Sequence, residues 1–113
     1  QKLREHILIA ADLIAAAKAG DQDRVAAEQA RWHQNARGIA AFLGHANPRF
    51  WKQDAITSMM FMHLQLTTDE VVARLQGNWD ADVAAYDRIH LHILGMADVL
   101  STGIVKQFPR RFR

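Results

Sequence analysis

Six histidines, at positions 6, 33, 45, 63, 90 and 92, carry most of the chemistry open to this 113-residue chain. There is no cysteine, which removes thiolate metal sites, cysteine nucleophiles and disulfides together. The only serines are Ser58 and Ser101, and neither sits in a Gly-x-Ser-x-Gly elbow. The six glycines are dispersed, so no loop is built to cradle a phosphate. A serine hydrolase and a nucleotide-dependent transferase are therefore unexpected. Imidazoles that hold a metal ion or a proton remain.

At about 100° per residue on a helix, His6 falls at the centre of an apolar stripe, and His90 at the centre of another. His63 lies at the edge of the face formed by Ile56, Met60, Thr67 and Val71. Three helices thus each aim an imidazole at or near the interior. A buried imidazole needs a hydrogen-bond partner or a metal, because leaving it unpaired costs free energy. Asp87 precedes His90 by one helical turn, which sets a carboxylate beside the ring. The expected site is a metal held by His6, His63 and His90, with Asp87 as ligand or supporting acceptor. Glu28 on the second helix is a further oxygen candidate. The competing reading is three core histidines, each bonded to a nearby acceptor.

Imidazole with carboxylate suits zinc, iron, nickel or copper. All four methionines, at 59, 60, 62 and 96, fall on the helices that carry His63 and His90. Thioether plus imidazole turns the expectation toward copper, with zinc next. The same pair would suit haem as axial ligands, a weaker fit here, and covalent haem attachment needs cysteine. A ferritin-type di-iron centre needs two Glu-x-x-His pairs, and the chain has none. His90 and His92 point roughly 160–200° apart on a helix, so one ion cannot easily take both. His92 is expected at the surface or in a second contact, His33 beside the second helix's inward face, and His45 in a loop.

The elements that position these residues are helices. Periodicity and punctuation predict four, over about Leu3–Ala19, Gln22–Leu43, Phe50–Gln76 and Trp79–Val105. Gly20 and Gly77 stop the first and third, Asn47-Pro48 ends the second, and Asp21 and Asn78 suit the N-cap positions that follow the glycines. Thr67-Thr68-Asp69-Glu70 has capping-box spacing, which predicts a kink or a fresh start near Thr67. The inward stripe of the fourth helix is expected at Trp79, Val83, Tyr86, His90, Ile93, Ala97, Leu100 and Ile104. No alternating run reads as a strand, and short connections imply an all-α, antiparallel up-down four-helix bundle. Met59 to Met62 are apolar in sequence, so the third helix is either central or covered by a second copy or by an N-terminal segment outside this chain.

Charge narrows the class further. The last eight residues, Lys106 to Arg113, hold four of the 14 Lys and Arg and no acid. The basicity belongs to this tail, and residues 1–105 form the domain. With bases otherwise scattered, no stripe for nucleic acid is drawn. No apolar run reaches the roughly 20 residues of a membrane span. The chain opens on Gln1 rather than Met, from which a removed leader or a longer parent chain is expected.

Several segments taken together resemble an uncharacterised family of bacterial helical proteins. They are Leu3 to Ala11, Ala16 to Asp21, Asn35 to Leu43, Asn47-Pro48, His63 to Thr68, Asp82 to Asp87, Met96 to Asp98 and Gly103 to Pro109. The resemblance covers nearly the whole chain. It implies that longer members carry a further N-terminal helical segment, and that many are exported, hence an extracytoplasmic location. It makes His6, His63 and Asp87 family positions, with position 90 more variable, and it supplies no activity. The functional expectation is a non-enzymatic metal-binding bundle. The alternative is an extracytoplasmic assembly module without metal, since no nucleophile–base pair or paired catalytic carboxylates emerge.

Overall fold

The computed structural model covers residues 1–113 and contains four helices and no strand. They are α1 (Lys2–Ala19), α2 (Gln22–Ala46), α3 (Gln53–Leu75) and α4 (Trp79–Gln107). The stops and caps act where their chemistry places them. Gly20 takes the left-handed conformation (φ 69°) and donates its N–H back to α1. The carboxylate of Asp21 accepts from the Arg24 N–H at 3.0 Å, and the Asn78 side-chain oxygen from the Ala81 N–H at 3.1 Å. α2 runs past the predicted Leu43 to Ala46, which puts His45 on the helix, its Nδ1–H on the Ala41 carbonyl (2.8 Å). Pro48 follows closely, and Asn47 ends the helix.

No new helix starts at Thr67. α3 continues through it, because the Thr67 and Thr68 hydroxyls donate to the carbonyls of His63 (2.7 Å) and Leu64 (2.9 Å) one turn back. A threonine inside a continuous helix turns its hydroxyl back onto the preceding turn instead of capping a new one.

The helices pack in chain order, α1 on α2, α2 on α3 and α3 on α4. The core runs through Ile9 and Leu13, Trp32 and Ile39, Ile56, Met60 and Leu64, to Met96. α3 is the central helix, so part of its all-round apolar surface is accounted for. Phe61 lies under Arg37 at 5.1 Å and meets the edge of His33 at 4.8 Å. α1 and α4 do not pack extensively on each other, and a cleft remains between them.

The inward face of α4 is displaced by one residue from the predicted stripe. Asp82, Ala85, Met96 and Gly103 are buried, whereas Trp79, Val83, Tyr86 and His90 are exposed. Two of the four, Ala85 and Gly103, are small and let α4 approach closely. A Cβ on Gly103 would overlap the Trp51 indole, which lies in the α2–α3 connection and donates Nε1–H to the Val99 carbonyl at 3.3 Å. Buried Asn47 adds a bond from Nδ2 to the Gly103 carbonyl at 2.9 Å. Asp82 is accommodated by Arg74 at 3.0 Å.

Candidate functional site

Three imidazoles do come together from three helices, but the third is His92. His6 on α1 and His63 on α3 lie with ring centroids 6.4 Å apart, nearly parallel. His92 on α4 also stacks on His63, at 6.1 Å. The one-residue displacement of α4 turns His92 inward and carries His90 outward. There His90 is exposed and stacked on Tyr86 at 6.3 Å, and Asp87 is exposed beside it. The structure therefore brings His6 and His63 together and separates both from His90 and Asp87. Glu28 pairs with Arg31 at 3.1 Å rather than with a histidine. His33 donates Nδ1–H to the Gln29 carbonyl within α2.

Hydrogen bonds set the tautomers of the two outer rings. Asn35 donates Nδ2–H to the Lys2 carbonyl at 3.0 Å, so its Oδ1 faces His6 and accepts from Nδ1–H at 2.8 Å. The Nε2 of His6 then carries its lone pair. His92 donates Nε2–H to the Met59 carbonyl at 3.0 Å, which leaves the lone pair on Nδ1. Metal-binding histidines are commonly held in this way, one ring nitrogen donating to a carbonyl so that the other is free to ligate. The central ring differs. His63 Nδ1 is buried without a partner, and so is Nε1 of Trp32, whose indole packs on His6 at 5.4 Å. These are the two buried side-chain polar atoms that have no partner within the protein, and both belong to rings that adjoin His6. Burial holds the His63 imidazole below its ordinary pKa, and repulsion from His6 and His92 adds to the effect.

His6 and His63 also line the cleft between α1 and α4, which has a volume of about 750 Å³. Its walls are mostly apolar and include Met59, Met60 and Met96. Three of the four methionines thus share one cavity with two imidazoles. No group of three or more His, Asp or Glu side chains converges at metal-binding spacing. The donor set on offer is mixed, imidazole with thioether. Sequence periodicity had no means of favouring His92 over His90, because the small residues that decide the face of α4 carry little hydropathy signal.

Comparison with protein families, with curated proteins and with solved structures finds no match in any of the three. No helix of the chain is long and apolar enough to cross a membrane.

Proposed function

We propose that this chain is a non-enzymatic protein that binds a soft transition-metal ion, copper before zinc, at His6 and His63. One observation carries the reading: two imidazoles and three methionines line a single apolar cleft. Copper(I) takes nitrogen and thioether donors readily, whereas a hard cation would want oxygen. His92 stacks on His63 at 6.1 Å outside the cleft lining and supports that ring rather than the ion. The buried, unpartnered Nδ1 of His63 supports the same reading. An extracytoplasmic setting is proposed from the family resemblance.

The test is titration of the purified, untagged chain with copper(I) under reducing conditions against a chromophoric competitor. One equivalent is expected to bind and to raise the melting temperature, as any ligand selective for the folded state does. The His6→Ala/His63→Ala variant should lose both effects. If the wild type competes no better than this variant and its melting temperature does not move, the metal reading fails.

A second reading, an assembly module, is favoured by a separate observation. The predicted inward row of α4, apolar along most of its length, lies largely on the outside of the molecule.

A further inference from the structure

We infer that α4 is the docking surface for a second copy of this chain, the two α4 helices lying antiparallel; the inference rests on the assembly reading and is independent of the metal. The outward row from Trp79 through Val83, Tyr86, His90 and Ile93 to Ile104 steps by four and three residues in turn. That 3.5-residue spacing is what a helix presents to another helix in a coiled-coil seam. The opposite face of α4 is already occupied by α3. Trp79 is 60% exposed, Val83 62%, Tyr86 56% and Ile93 41%. Spread over the 26 residues from Trp79 to Ile104, the row is about 38 Å long.

Surface area points the same way. The chain exposes 7754 Å², whereas a compact monomer of 12.8 kDa exposes about 6,300 Å². The surplus, about 1,500 Å², exceeds the roughly 800 Å² that each partner buries in a standard interface. The shape agrees, with a radius of gyration of 16.0 Å against about 13 Å for a compact domain of this length.

Charge selects the occupant and its direction. The first half of α4 carries Asp80, Asp82 and Asp87, of which Asp80 and Asp87 are exposed, against one base, Arg88, while its second half and the following residues carry Lys106, Arg110, Arg111 and Arg113 against one acid, Asp98. An antiparallel second copy sets each acidic half beside the other's basic end. A parallel copy would set like charge against like. The arrangement closes as a two-fold dimer, using the same surface twice. Ile93, Met96 and Leu100 of α4 also line the cleft, so the second copy would border its mouth.

The experiment uses the whole chain, with mass measured by light scattering over a concentration series. A dimer of twice the chain mass is expected. Tyr86→Glu/Ile93→Lys, on the seam, should weaken dimerisation about tenfold or more, as charges at an interface centre do. Val72→Lys, on exposed α3 surface, should leave it unchanged; helical circular dichroism confirms that both variants fold. Because the chain has no cysteine, direction can be read by single introduced thiols. Tyr86→Cys mixed with Ala97→Cys should form the mixed disulfide, and Ala97→Cys alone should bridge poorly. Efficient self-bridging of Ala97→Cys would overturn the antiparallel arrangement. A dimer indifferent to the seam variant would overturn the α4 surface and leave the assembly reading standing. A monomer at every concentration would overturn both.

Discussion

The three imidazoles illustrate how single side chains gain their properties from immediate neighbours. His6 and His92 each hand one N–H to a fixed carbonyl oxygen, from Asn35 and Met59 respectively. His63, between them, has a buried Nδ1 with no such partner and is held below its ordinary pKa by burial first and by its two neighbours second. The consequence for stability has a definite sign. As the pH falls through the ordinary imidazole value near 6.5, the unfolded chain takes up this proton before the folded chain does. Protons are then bound preferentially by the unfolded state, so folding stability declines. The contribution of His63 is complete above that range and is lost progressively below it, down to the folded-state pKa. Melting temperature measured between about pH 7 and pH 5 should fall for the wild type, and less steeply for His63→Leu, which has no proton to gain. Parallel curves for the two proteins would contradict the assignment. A neutral His63 at neutral pH is also the form that can ligate a metal.

Helices obey their end signals more faithfully than their faces. Gly20, Asp21, Asn78 and Pro48 act locally, on backbone groups within a turn, and the helix limits they predict hold to within a turn. The packed face of α4 depends instead on which residues let another helix approach. Trp79, Val83 and Tyr86 have more apolar area to bury than Ala85 and Gly103, but close packing favours the small residues. Gly103 is the clearest instance, since the Trp51 ring occupies the space a side chain would need. Gly103→Ala should therefore destabilise the fold by about 1–3 kcal/mol through overpacking, although alanine is the better helix former. Urea denaturation checks this, and a neutral or stabilising effect would show that the indole moves aside freely. Trp51 itself had no signal in the helical periodicity, because it lies in a connection and docks on a helix distant in sequence.

As a whole the molecule is an open array, 52 × 28 × 20 Å in extent, with only 17 of its 113 residues buried. With so small a core, melting temperature is expected to rise with protein concentration, because mass action favours the associated folded state. Scans over a hundredfold concentration range test this, and a constant value would mark a self-sufficient monomer. The four helices, most of their limits and two caps were determined by the sequence alone, since propensity, glycine stops and side-chain caps act over a few neighbouring residues. His6 and His63 were legible as facing the packed side, because each sits on or at the edge of an apolar face, and both are half-buried at the cleft. The choice of His92 over His90 and the cleft between α1 and α4 were decided by tertiary structure. Each depends on distances between helices, and those are set by the close approach of small residues, which a one-dimensional pattern does not record.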